Sequence, residues 1–195
     1  AMIFYNLSRF SVDLDFDILD NNKEEYVFLK INNILLNYGS VKPQNKRYSL
    51  FFLLSYKDKL SNVQNIKIEI NKRGFGSRYE VKHYLGIAMQ VMIKEDMFAN
   101  KLVAMHERIG KTNRDIFDVW FFFNNNWDIN PKIIENRTQM NFSDFLKKCI
   151  DDLEHFNNRN ILSGVGELIN EKQKAWVKSK LISETIFLIK LRLSN

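Results

Sequence analysis

Residues Arg9–Leu19 read RFSVDLDFDIL. Asp13, Asp15 and Asp17 alternate with Val12, Leu14, Phe16 and Ile18. Successive strand side chains point to opposite faces, so this spacing predicts a strand over 11–18. Leu14 and Phe16 are expected to enter the core, and the three carboxylates to share the other face. Carboxylates packed that closely repel, and loss of water sharpens the repulsion. A cation is therefore expected among them. Hard oxygen ligands suit Mg²⁺, which takes one or two carboxylates together with substrate phosphates.

A second acid extends the pattern. NIKIEINKR places Glu69 between Ile68 and Ile70 on another strand-like segment. Beside the first strand, Glu69 completes a three-carboxylate cluster of the kind that holds two metal ions. Bland readings of the same residues stay open: Asp17 facing water at the strand end, Glu69 on the wet side of a half-buried strand. The D-x-D-x-D spacing is not a calcium loop, because the intervening residues are apolar and no Gly follows. A phosphatase-like Asp-x-Asp strand also stays open, although Phe16 stands where Thr or Val is usual.

Outward from these strands the periodicity predicts an α+β chain. Residues 1–7 read as the end of a helix or a lead-in to the strand. NKEEYVFLKINNILLNYG has apolar residues at helical spacing and ends at Gly39. RYSLFFLLSY (47–56) and VQNIKIEINKR (63–73) are strand-like, and the polar link KDKLSN between them predicts an antiparallel hairpin. GFGSR marks a loop, and YLGIAMQVMI (84–93) a further short strand. From Lys94 the period becomes helical: a helix ending at Gly110, a second with Thr112 or Asn113 as N-cap, then segments 142–157, 159–170 and 172–193. Pro131 and short Asn clusters separate these pieces. The expected organisation is a small mixed sheet over 1–94 followed by a helical domain over 95–195.

Composition narrows the function classes. The chain has 195 residues, 45% hydrophobic and 13% aromatic, enough for a packed core and against global disorder. Its one cysteine, Cys149, excludes an internal disulfide framework and a Cys-rich zinc site. That thiol sits in helical FLKKCIDDL and reads as inert packing. Charged residues interrupt every apolar run before the ~18 residues of a membrane span. AMIFYNLSRF lacks the basic lead and long apolar stretch of a secretion signal, so the cytoplasm is the expected location. A net charge of +6 points to an anionic partner such as nucleotide phosphates or RNA. His83, His106 and His155 have no metal-ligand spacing, and Trp120 with Phe121–Phe123 reads as core.

Together, NLSRFSVDLDFDIL, the later acid-bearing strand and FANKLVAMHERIGKTNRDIFDVWFFF resemble the AbiEii-type toxin nucleotidyltransferases. The resemblance spans roughly residues 5–125 and implies the nucleotidyltransferase fold. It implies an enzyme that moves a nucleoside monophosphate from an NTP to an acceptor hydroxyl, the acceptor being RNA or tRNA in some relatives. It further implies a toxin of a toxin–antitoxin or phage-defence pair, with an antitoxin protein as partner. Asp13, Asp15 and Glu69 would hold Mg²⁺ or Mn²⁺, and Glu69 would help activate the attacking hydroxyl. Ser11 falls in the nucleotide-binding motif.

On the helices, Lys101 read from sequence alone is a snorkelling surface lysine. The resemblance makes it a triphosphate contact. Arg108 would reach phosphate or the RNA backbone, or pair on the surface near Glu107. Asp115 suits a helix N-terminus, and Asp118 is spaced to pair with Arg114 within the helix. The resemblance instead makes Arg114, Asp115 and Asp118 part of the site, orienting Lys101 and the nucleotide. Relatives carry a Gly-Gly or Gly-Ser pair a dozen or more residues ahead of the first Asp. With Ala1 twelve residues before Asp13, those glycines are expected to fall ahead of Ala1. The alternative reading is a catalytically impaired nucleotide- or RNA-binding protein of the same fold. A third is an interaction domain with a structural metal. The basic tail reads as a packed helix with a solvated Lys face.

Overall fold

The computed structural model describes residues 1–11, 13–56 and 65–194. The chain divides into two compact units, Ser11–Gly74 and Ala1–Phe10 with Phe75–Asn195. The division falls elsewhere than the 94/95 boundary expected from the change of period. The first residues form a short helix, α1 (Met2–Tyr5), and Tyr5 and Leu7 are buried with Phe98, Leu102 and Ile116 of the helical core. Val91, ahead of the helices, belongs to the same core.

In the unit of Ser11–Gly74, β1 (Asp13–Asp17) is followed by α2 (Glu24–Leu36), β2 (Gly39–Asn45), β3 (Ser49–Tyr56) and β4 (Ile66–Asn71). The sheet order is β1-β4-β3-β2, with β1 parallel to β4 and the other pairs antiparallel. The expected β3–β4 hairpin is thus present. Its link, 57–64, and Val12 lie outside the described residues.

Alternation fixes the two faces of this sheet. Leu50, Phe52, Leu54, Ile68 and Ile70 are buried, and Val27, Phe28, Ile31 and Leu35 of α2 pack on them. The rings of Phe28 and Phe52 lie 5.2 Å apart. Leu14 and Phe16 depart from expectation, remaining 43% and 46% exposed within the folded chain. β1 is an edge strand, whereas α2 packs on β2 and β3, so of Leu14, Phe16 and Ile18 it is Ile18 that packs against the core. The polar strand β2 carries Pro43, which cannot donate to a ladder and suits the opposite edge. Gly39 begins β2 rather than merely stopping α2. A Cβ there would come within 2.1 Å of the Ser55 carbonyl oxygen, so only glycine allows the strands to meet.

The other unit opens with a hairpin of β5 (Tyr79–Tyr84) and β6 (Ile87–Met92), turned at Leu85 and Gly86, both at positive φ. Helices α3 (Lys94–Arg108), α4 (Arg114–Asn124), α5 (Pro131–Thr138), α6 (Phe142–Glu154) and α7 (Glu171–Ser194) follow. Pro131, read as a separator, instead occupies the first turn of α5, where its missing N–H costs nothing. The helix expected over 159–170 is replaced by single 3-10 turns at Asn158–Asn160 and Gly166–Leu168. Gly164, at φ 73, breaks the run. Asn113 takes the N-cap position of α4, as expected, but its side chain makes no capping bond. Its amide donates to the Asn160 carbonyl at 2.8 Å, tying that irregular segment down.

Ile116, Phe117, Val119, Phe122 and Phe123 of α4 are buried, as are Val177, Leu181, Thr185 and Ile189 at four-residue spacing on α7. Where the two helices meet, the rings of Trp120 and Trp176 lie 4.2 Å apart. Both indole N–H groups donate to Glu184, at 3.2 and 3.3 Å. Cys149 is buried in this core, and burial pushes its thiol far above the ordinary value, so it packs rather than reacts. No helix among the described residues is long and apolar enough to cross a membrane.

Candidate functional site

The residues singled out from the sequence form two constellations, one in each unit. The first lies on the sheet face opposite α2. The parallel ladder sets Asp13 beside Lys67, Asp15 beside Glu69 and Asp17 beside Asn71, and the β3 register adds Phe51 next to Glu69. Asp13, Asp15 and Glu69 therefore share a face, as the period-2 reading requires. Asp17 is not simply solvated, because the Asn71 amide donates to it at 2.9 Å. Ser49 donates its hydroxyl to Glu69 at 3.0 Å. Ser11 is exposed at the head of the strand, and its hydroxyl donates to the Asp13 carbonyl at 3.3 Å.

A cation does sit among these acids, and it belongs to the chain. The Lys67 ammonium is 3.3 Å from Asp13 Oδ2 and 3.5 Å from Glu69 Oε2. The Asp15 carboxylate is exposed and has no hydrogen bond or ion pair among the described residues. As arranged, no group of three His, Cys, Asp or Glu side chains among the described residues is disposed to hold a metal ion. In kind, the donors are those a hard divalent cation takes: all-oxygen ligands on adjacent strands.

The second constellation surrounds α4. Asp115 and Asp118 lie one turn apart on its buried side, 0% and 1% exposed. Lys101 of α3 bridges them, at 3.0 Å from Asp115 Oδ1 and 3.1 Å from Asp118 Oδ2. Arg108 closes on Asp115 at 2.8 Å, and Arg9 grips both oxygens of Asp118, with Nη2 at 2.7 Å from Oδ2. Asp118 thus pairs with Lys101 of α3 and with Arg9, far off in the chain, while Arg114 stands in the first turn of α4. Arg108 pairs with Asp115 rather than near Glu107, whose carboxylate faces Arg137.

Burial would raise the Asp118 carboxyl, but Lys101 and Arg9 outweigh it and hold the group below its ordinary value. Burial would lower the Lys101 ammonium, and the facing carboxylates Asp118 and Asp115 instead raise it. Three cations meet two carboxylates, so the network keeps one positive charge in excess. Arg108, 41% exposed, presents part of that charge to solvent, a setting suited to an anion such as phosphate.

Lys67, Ser49 and Arg9 were not anticipated from the sequence. Lys67 had a signal, being two residues before Glu69 and so on its face. Arg9 lies in the motif that carries the resemblance, but nothing there names its partner, which lies 109 residues away. Two of the three histidines have ordinary partners: His106 with Asp152, His155 with Asp151.

Residues 1–164 match the family described as nucleotidyl transferase AbiEii toxin, type IV TA system. The chain belongs to this family. It is thereby a nucleotidyltransferase of the toxin class, with the α+β fold its sequence predicts. Solved structures agree in fold at low identity. A Helicobacter pylori protein assigned as a nucleotidyltransferase is 21% identical with a TM-score of 0.57, covering 96% of this chain and 80% of its own. JHP933 from Helicobacter pylori is 19% identical with a TM-score of 0.50, covering 96% and 81%. MenT4, a nucleotidyltransferase toxin from Mycobacterium tuberculosis, is 15% identical with a TM-score of 0.54, covering 94% and 70%. No curated protein matches the chain in sequence.

Proposed function

We propose that this AbiEii toxin transfers a nucleoside monophosphate from an NTP to a hydroxyl of an RNA acceptor such as tRNA, releasing pyrophosphate. The acceptor oxygen attacks the α-phosphorus, the bond to the pyrophosphate oxygen breaks, and the hydroxyl proton passes to a carboxylate of the acid face. The observation that carries this reading is the register that sets Asp13, Asp15 and Glu69 on one sheet face with a cation drawn among them. Asp13, Asp15 and Glu69 would hold Mg²⁺ or Mn²⁺, which supplies charge neutralisation on the triphosphate and acidifies the attacking hydroxyl.

The remaining roles follow from where each side chain is held. Glu69, fixed by Ser49, accepts the hydroxyl proton. Ser11 offers its exposed hydroxyl to the nucleotide. Lys101 and Arg108 supply positive charge to phosphate oxygens, with Arg114 alongside at the head of α4. Asp115 and Asp118 hold Lys101 in one orientation, and Arg9 holds Asp118. Catalysis is then positioning and electrostatics on a preformed frame. The net charge of +6 favours an RNA acceptor and its approach. The setting is a cytoplasmic toxin–antitoxin or phage-defence pair in which an antitoxin protein counters the toxin.

Incubation with each labelled NTP, Mg²⁺ and total RNA tests the assignment. Label should enter RNA with one or more NTPs, and Asp13→Ala should abolish it. Transfer undiminished by Asp13→Ala overturns the proposed roles.

A further inference from the structure

We propose that Lys67 is a built-in counter-cation of the acid face, occupying the divalent-metal position until an incoming ion displaces its ammonium. The inference rests on reading Asp13, Asp15 and Glu69 as metal ligands. Its basis is geometric. Strand alternation puts Lys67 and Glu69 on one face of β4, and the parallel ladder puts Lys67 directly beside Asp13. The ammonium consequently reaches Asp13 at 3.3 Å and Glu69 at 3.5 Å. It sits where an ion bridging those two carboxylates would lie.

Three features of this arrangement suit displacement rather than permanence. Lys67 is 30% exposed, so water can take over its ammonium as it leaves. A lysine ammonium is a compact point charge on a flexible stem, without the planar fork that makes arginine–carboxylate pairs hard to exchange. Asp15, beside Glu69 on the ladder, is exposed and its carboxylate has no partner among the described residues, leaving the face attractive to a doubly charged ion. By contrast, Arg9 on buried Asp118 has the fork, the burial and both oxygens. Lys67 therefore does two things. It relieves carboxylate repulsion in the metal-free chain, and it weakens metal binding by competing for the same oxygens.

The test counts bound Mn²⁺ by the loss of the free-ion EPR signal, on the full chain without nucleotide or RNA. Wild type, Lys67→Met, Lys67→Arg and Asp13→Asn are compared, with melting recorded in EDTA and in Mn²⁺. Removing a unit charge beside a divalent ion should tighten Mn²⁺ binding by about tenfold in Lys67→Met. That variant should melt lower than wild type in EDTA and gain more from Mn²⁺. Lys67→Arg should bind Mn²⁺ no more tightly than wild type, which separates the charge from the loss of a side chain. If Lys67→Met binds Mn²⁺ as wild type does, or more weakly, while Asp13→Asn abolishes binding, the counter-cation role is overturned and the metal ligands stand. If Asp13→Asn leaves Mn²⁺ binding unchanged, the ligand assignment fails and the counter-cation role falls with it.

Discussion

On the sheet of residues 11–74, Asp15 and Glu69 keep contact with water, and one lysine on a flexible stem sits between carboxylates. Around α4, Asp115 and Asp118 are shut from solvent and gripped by Arg9, Lys101 and Arg108. Both regions bring together acids and bases, yet the energetics differ in kind. A buried carboxylate depends on its partners for the solvation it has lost, so removing one partner leaves a charge stranded. An exposed carboxylate exchanges partners with water at little cost. The first arrangement suits a face that must accept and release an ion. The second suits a frame that must hold its shape while something else reacts.

The contrast can be broken most directly at Asp118. Asp118→Ala strands Arg9 and Lys101 and should cost about 3–5 kcal/mol of stability by urea unfolding. A loss no larger than that of an ordinary surface substitution would erase the distinction. Acid titration of unfolding sharpens it next. Asp118 is held below its ordinary value, so its contribution is present above the unfolded carboxylate pKa and lost as pH falls through the folded one. Lys101 is raised, so its contribution is complete below the ordinary lysine value and lost only as pH rises through the higher folded one. Wild type should therefore hold a plateau across neutral pH, and Asp118→Asn should flatten the acid limb of the stability curve. The smallest effect belongs to the sheet. Asp15→Asn removes a like charge from a crowded face and should raise metal-free stability by roughly 0.2–1 kcal/mol, read by the same unfolding measurement.

The acid face was legible because a strand's period of two is strict. Knowing that Asp13 and Glu69 each sit between apolar neighbours is enough to aim them, and the ladder only sets the register. The α4 network was half legible. Lys101, Arg108, Asp115 and Asp118 came from resemblance and helical spacing, but the spacing offered Arg114 as the partner of Asp118 and not the Arg9 that grips it. Partners such as Arg9 are chosen by tertiary packing, which leaves no periodic trace in the chain. Leu14 and Phe16 show the same limit from the apolar side. Alternation gives the face a residue is on, but not whether its strand lies at an edge that the covering helix fails to reach. Pro131 and the 159–170 segment were misread for local reasons. A proline can open a helix as well as end one, and apolar spacing alone does not overcome Gly164 at positive φ.

The carboxylate of Glu184, shared by the indoles of Trp120 and Trp176, gives the chain a natural optical gauge. Trp120 rides on the same helix as Asp115 and Asp118, so any slippage of α4 against α7 alters the surroundings of both fluorophores together. Ultraviolet emission can then follow the seating of the buried charge frame without a dye, a label or a bound nucleotide.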